Sequence, residues 1–165
     1  MLDSGKVFFD SQNGKLHGGG IIRAKKKMKD LEGVFADEKA YGGSDMEEIV
    51  YEVEMYSPVG AIEGGLNFGI STIYPGKVGN EFFMTKGHFH EIRNRAEYYW
   101  GIAGTGILLL INADGKTVKE DVNVGTLHYI AGNTAHRLIN SGNDKLVVGA
   151  CWPSDAGHDY AVFKG

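Results

Sequence analysis

The stretch Thr85-Lys86-Gly87-His88-Phe89-His90 carries two imidazoles two residues apart, with Glu97 seven residues beyond and His136 much later. In an extended strand, residues i and i+2 project from one face, so His88 and His90 would point the same way and Phe89 the opposite way. Three imidazoles and one carboxylate suit a first-row divalent metal, and an enzyme would leave coordination positions open for substrate. A lone strand histidine is usually a surface or hydrogen-bonded residue. The His-x-His pair shifts the balance toward metal, and Glu97 and His136 shift it further because they complete a wider pattern. His17 and His128 match no such pattern and read as structural.

Composition narrows the class. Seventeen basic residues against 21 acidic ones give a mildly negative chain, with no support for a nucleic-acid or anionic-membrane partner. The run Lys25-Lys26-Lys27 reads as a solvated helical face rather than a phosphate patch. Cys151 is the single cysteine, so no internal disulfide can form and a reducing compartment is expected. It lies in the apolar run Val147–Trp152, which suits a buried small hydrophobe better than a nucleophile. The start, Met1-Leu2-Asp3-Ser4-Gly5-Lys6, lacks the layout of a signal peptide, and no apolar run approaches the roughly 20 residues that span a bilayer. A soluble, cytoplasmic protein acting on a small molecule is the expectation.

The elements that must hold these residues are mainly strands. At 165 residues the chain suits one domain, and 25 glycines against three prolines suggest many tight turns between short strands. Residues 1–20 read as an arm with one strand near Lys6–Phe9, and residues 22–32 have the best helical pattern. Strands are expected over Ile49–Tyr56, Leu66–Tyr74, Glu81–His90, Glu97–Ala103, Gly106–Asn112, Thr117–Asp121, Leu127–Ile130, His136–Asn140 and Lys145–Trp152. Tyr74-Pro75-Gly76, Asp114-Gly115 and Gly142-Asn143-Asp144 punctuate them as turns. The result is an all-β sandwich or barrel. The expected layout is one domain over 1–165, with an arm and helix in 1–45 and a β-barrel in 46–165.

His88-x-His90, Glu97 and Gly104 resemble the first motif of the cupin superfamily, and Gly125, Ala131-Gly132-Asn133-Thr134-Ala135-His136 and Asn140 resemble the second. Ala131 stands where cupins usually have proline, and Asn133 where they usually have glycine; asparagine is the next-best residue for a left-handed turn. The spacing from His90 to Glu97 exceeds the commonest one. Thr85 to His90, Arg95-Ala96-Glu97-x-Tyr99 and Ala156-Gly157-His158-Asp159-Tyr160 closely resemble the archaeal-type, cupin phosphoglucose isomerases. Leu66-Asn67-Phe68 and Tyr74-Pro75-Gly76-Lys77-Val78-Gly79 agree as well.

This resemblance implies a cupin fold (a double-stranded β-helix, jelly-roll-like barrel) and a homodimer. It implies interconversion of glucose 6-phosphate and fructose 6-phosphate with one divalent metal per subunit, Fe2+ first and Mn2+, Ni2+ or Zn2+ as alternatives. His88, His90, Glu97 and His136 would be the ligands, and Glu97, His158 and Tyr160 the catalytic groups. Either Glu97 shuttles the carbon-bound hydrogen as a proton, or a hydride shift leaves His158 and Tyr160 to handle oxygen-bound protons. Tyr51, Ser71, Thr85 and the Gly87 N–H would hold the phosphate, and Tyr99 would line the sugar cavity. At 152 relatives can carry tyrosine, and Trp152 here changes the donor position. Lys86 alternates away from Thr85 and is expected to face solvent. The same four ligands would also serve a cupin oxygenase, which gives no reason for Gly157-His158-Asp159-Tyr160, or a sugar-binding cupin without catalysis.

Overall fold

Residues 6–161 are described in a computed structural model; residues 1–5, part of the stretch scanned for a leader, and 162–165 lie outside the described residues. An N-terminal hairpin of β1 (Phe8–Asp10) and β2 (Lys15–His17) leads to β3 (Ile21–Lys27), a 3-10 turn (Met28–Leu31) and α1 (Glu38–Gly42). Then come β4 (Ile49–Tyr56), β5 (Leu66–Ile73), β6 (Lys77–Val78), β7 (Glu81–Phe82), β8 (Glu97–Ala103) and β9 (Gly106–Ile111). The chain closes with β10 (Thr117–Val122), β11 (Leu127–Ile130), β12 (Ala135–Ile139) and β13 (Leu146–Pro153).

Six strands form one antiparallel sheet in the order β11-β8-β13-β5-β4-β3, and three form another in the order β10-β9-β12. The segment after β7 extends the smaller sheet along β12 through the bridges Met84–Ile139 and His88–His136. Between the sheets lies the core. β9 shows how the pattern puts it there: Gly106, Leu108 and Leu110 are buried, while Ile107, Leu109 and Ile111 alternate outward. Residues from both sheets, among them Val50, Ile73, Leu108, Leu138 and Val148, join in one apolar cluster.

β13 departs from alternation because it is covered on both faces. Its inner face meets the core, and the N-terminal hairpin packs Leu16 against Ile70 and Val147 on the outside. Glu54 pins that hairpin, accepting a hydrogen bond from Leu16 N at 2.7 Å, while Arg23 donates to Leu16 O at 2.7 Å. The chain passes from one sheet to the other between β8 and β9 at Gly104, whose φ is +75°. A Cβ there would sit 2.3 Å from Lys145 O, so only glycine fits this corner.

Two expectations need correction. Residues 22–32 are not a helix: β3 occupies most of them, with Lys25 and Lys27 reaching Glu52 and Glu47. Only the spacing of Met28 and Leu31, both fully buried, reflects a helical turn, and it is 3-10. The strand expected over Glu81–His90 ends at Phe82 and continues only as isolated bridges at Met84, His88 and Phe89, with Gly87 at φ +71° between the first two. α1 gave no periodic signal, being five residues long. Asn133, by contrast, takes the left-handed conformation expected of it, at φ +59°. Among the described residues no helix is long and apolar enough to cross a membrane.

Candidate active site

His88 and His136 are backbone partners on adjacent strands, exchanging N–H···O bonds of 3.1 and 3.0 Å. His90 follows on the same segment, and Glu97 opens β8 on the opposite sheet. The fold thereby carries four side chains from three chain segments to one point, with one ligand atom from each lying within 4.8 Å of the others. Glu97 Oε1 is 3.1 Å from His90 Nε2 and 2.5 Å from His136 Nε2, yet these approaches lack hydrogen-bond geometry. The three Nε2 atoms and Glu97 Oε1 are all buried without a hydrogen-bond partner.

Four buried polar atoms unpaired and converging would cost several kcal/mol in an apolar setting, which a shared cation would remove. The far nitrogens fit that reading. His90 Nδ1 lies 2.8 Å from Arg95 O, and His136 Nδ1 lies 3.2 Å from Thr134 O. Each carbonyl can accept only from N–H, which leaves the Nε2 lone pair aimed at the common point. The residues therefore fit a divalent metal.

Electrostatics support ligand character. Burial, aided by neighbouring His136 and His158, pulls the His88 imidazole down to about 2, so it stays neutral. Burial alone would raise the Glu97 carboxyl, but His136 and His90 outweigh it and hold the group below the usual carboxylate range. For His90 burial is likewise outweighed, and Glu97 raises its pKa.

His88, Glu97 and His136 border a cavity of about 320 Å³, within the range typical of small-molecule sites. The C-terminal segment covers one side. It is stitched to the loop after His88: Phe89 and Asp159 exchange backbone bonds of 2.9 and 2.8 Å, and Arg95 grips Asp155 with bonds of 3.0 and 2.7 Å. This brings His158 edge-on to His88 at 4.4 Å between ring centroids and stacks Tyr160 on His158 at 5.9 Å. Burial, with His90 nearby, lowers the His158 pKa, and burial raises the Tyr160 phenol. A neutral imidazole and a protonated phenol thus face the metal site.

Elsewhere the cavity lining includes several uncharged donors. Thr85 accepts from Leu138 N at 3.1 Å, which leaves its O–H free to donate. Tyr51 is buried and its phenol is pushed up to about 12 by burial, with the Lys86 backbone opposing. Ser71, Gly87, Tyr99 and Trp152 also line the space. Burial puts the Tyr99 phenol well above its ordinary value. A Cβ at Gly69 would lie 2.9 Å from the Trp152 ring, so glycine there makes room for the larger side chain.

Every residue nominated from sequence therefore meets in one place, except that Lys86 borders the cavity instead of facing only solvent. His128 is buried between Glu120 and Thr126, at 2.6 and 2.9 Å, away from the site. Cys151 is half-buried, its thiol raised by burial. Sequence reasoning missed Lys26, which lines the cavity, and Arg137, whose buried guanidinium donates to Lys86 O at 2.7 Å. Burial lowers that guanidinium to about 10. Arg137 follows directly on His136, and its neighbour there was the only available signal.

Known proteins agree with this geometry. The profile of a family described as Glucose-6-phosphate isomerase (GPI) matches residues 25–165. The chain is 44% identical over 150 residues to the glucose-6-phosphate isomerase of Thermococcus kodakarensis, covering 88% of this chain and 79% of the relative. It is 42% identical over 149 residues to that of Pyrococcus furiosus, covering 87% and 78%. Among solved structures, oxalate decarboxylase from Bacillus subtilis superposes with a TM-score of 0.51 at 19% identity, covering 64% of this chain and 26% of that one. That likeness establishes the cupin fold.

Proposed function

Because the chain belongs to the glucose-6-phosphate isomerase family in its cupin form, we propose that it interconverts D-glucose 6-phosphate and D-fructose 6-phosphate with a divalent metal. One observation carries the reading: a single cavity is bordered by three of the four convergent ligand side chains, His88, Glu97 and His136, and by the uncharged donors of Thr85 and Gly87. The first suits a sugar's oxygens and the second a phosphate. The Gly157-His158-Asp159-Tyr160 segment, which places His158 against His88, has a use in this reaction and none in a cupin oxygenase or a sugar-binding module.

His88, His90, Glu97 and His136 would hold the ion, with Fe2+ as our proposed native metal and Mn2+, Ni2+ or Zn2+ as substitutes. When bound it would supply charge stabilisation for the oxygens at C1 and C2. Thr85, Ser71, Tyr51, the Gly87 N–H and Trp152 would hold the phosphate, and Tyr99 the sugar between. Isomerisation moves one hydrogen from C2 to C1 while O2 loses a proton and O1 gains one. His158, kept neutral by its surroundings, would take the O2 proton and return it to O1, with Tyr160 holding its plane. Glu97 borders the same cavity, but neighbours that keep its carboxyl acidic weaken it as a base. Deuterium washed into the sugar from D2O would assign Glu97 the carbon-bound proton; its absence would mark a direct shift with Glu97 as ligand alone.

We further propose a homodimer. On the outer face of the six-stranded sheet Tyr98 and Tyr129 pair at 5.3 Å, and with Leu127 they form an exposed apolar patch suited to a second copy. A cytoplasmic enzyme of glycolysis and gluconeogenesis is the corresponding cellular role. The test is conversion of fructose 6-phosphate to glucose 6-phosphate, abolished by chelator and restored by added metal. No turnover with iron, manganese, nickel and zinc each supplied would overturn the proposal.

A further inference from the structure

The basic residues of the N-terminal strands are nearly all neutralised. Lys15 lies 3.6 Å from Glu52, Arg23 3.3 Å from Glu54, Lys25 3.1 Å from Glu52, and Lys27 and Lys29 both reach Glu47. Lys26 is the exception. Among the described residues it makes no ion pair, and it is half-buried where its neighbour Lys25 is exposed.

Backbone geometry explains its direction. Ala24 pairs with Val53 and Lys26 with Tyr51, and all four side chains line the cavity, so Lys26 belongs to the inward row of β3. The register shifts between Lys26 and Lys27. Such a bulge re-aims side chains: it ends the inward row on Lys26 and releases Lys27 to Glu47. The partner strand places Tyr51, whose phenol sits beside the Lys86 backbone, next to Lys26.

A sugar phosphate carries close to two negative charges at neutral pH. The proposed phosphate donors, Tyr51, Ser71, Thr85, Gly87 and Trp152, are all uncharged. Lys86 also borders the cavity, on the segment that supplies Thr85 and Gly87, and Arg137, bonded to Lys86 O, is not part of the lining. Taking a dianion from water onto neutral donors alone is costly, and a partly desolvated ammonium offsets that cost.

We propose that Lys26 is a specificity-determining residue whose ammonium meets the substrate phosphate and makes the site select phosphorylated over neutral sugars. This rests on the isomerase reading of the cavity. Replacing Lys26 by glutamine should raise the KM for fructose 6-phosphate and the Kd for inorganic phosphate by about tenfold each. kcat should stay within about twofold, since the charge acts alike in ground and transition states. Lys26→Arg should restore most of the affinity. Added salt should raise the KM of the wild type more than that of the variant.

Calorimetric titration with inorganic phosphate reads the inference without turnover, so it holds even for protein that isomerises nothing. An unchanged phosphate Kd in Lys26→Gln would overturn the inference while leaving the isomerase reading intact. A wild type with no isomerase activity but a tenfold Kd difference would overturn that reading and leave the cation in place. A large loss in Lys86→Gln with none in Lys26→Gln would assign the charge to the wrong lysine and also sink the proposal.

Discussion

The part of the cavity beside the candidate metal cluster and the part proposed for the phosphate are built on opposite plans. In the candidate metal cluster, every ligand atom is buried and two of the imidazoles are fixed from behind by a backbone carbonyl. Around the proposed phosphate position, the donors are hydroxyls, a backbone N–H and a half-buried lysine, and several retain contact with solvent. A metal site needs fixed geometry because ligand atoms must agree to a few tenths of an ångström. A phosphate, with several oxygens and a diffuse charge, tolerates adjustment. Loss of one group should therefore abolish function at the first and grade it at the second.

The sharpest way to break that contrast is to remove a ligand. His136→Ala or Glu97→Gln should lose the bound metal and drop kcat/KM by about a thousandfold or more, checked by elemental analysis beside the isomerase assay. A variant that keeps both would show the cluster to be structural. Next in size, His158→Asn should keep metal content but lower kcat by about 10²–10⁴-fold, flattening the acid limb of the pH profile. A loss of metal in this variant would move His158 from proton carrier to scaffold.

The phosphate side should respond more gently. Thr85→Val removes the free hydroxyl hydrogen and the acceptor for Leu138 N, and should raise KM by about tenfold with kcat less affected. Trp152→Tyr should shift KM by only about two- to threefold, because the cavity keeps a ring and a donor at that position. Equal losses in kcat for either variant would erase the distinction between the two sides.

Acid should act on the metal side first. His88 is ordinarily near 6.5 but is held at about 2 when folded, so between those values the unfolded chain binds more protons than the folded one. Stability then rises with pH across that window and is lost as pH falls below about 6.5. His158 adds the same sign, and His90, raised by Glu97, opposes it. For chelator-treated protein the slope from His88 alone is at most about 1.4 kcal/mol per pH unit. Calorimetric melting between pH 7 and 5 should show a falling Tm; a flat profile would mean that His88 is not desolvated.

How far the chain was legible follows from the same contrast. β8 and β11 appear within the residues their alternation suggested, and the ligand set was readable because His-x-His, Glu97 and His136 are distinctive types at distinctive spacings. β3 was misread, because three consecutive lysines hide which face a strand buries. The distinction between Lys25 and Lys26 lies in the carboxylate of Glu52 and the phenol of Tyr51 on the neighbouring strand, and in a bulge. Arg137 was illegible for a related reason: its partner, Lys86 O, is a main-chain atom 51 positions away. Type and spacing announce chemistry that needs rare residues. They say little where the donors are hydroxyls, backbone and common lysines.

We propose that one cavity holds the sugar between these two differently built sides. A crystal structure with Mn2+ and fructose 6-phosphate tests it most directly. The ion is expected on His88, His90, Glu97 and His136, the C1–C2 end beside it under His158, and the phosphate against Thr85, Gly87 and Lys26. A phosphate lying on the ion, or a sugar bound outside the cavity, would contradict it.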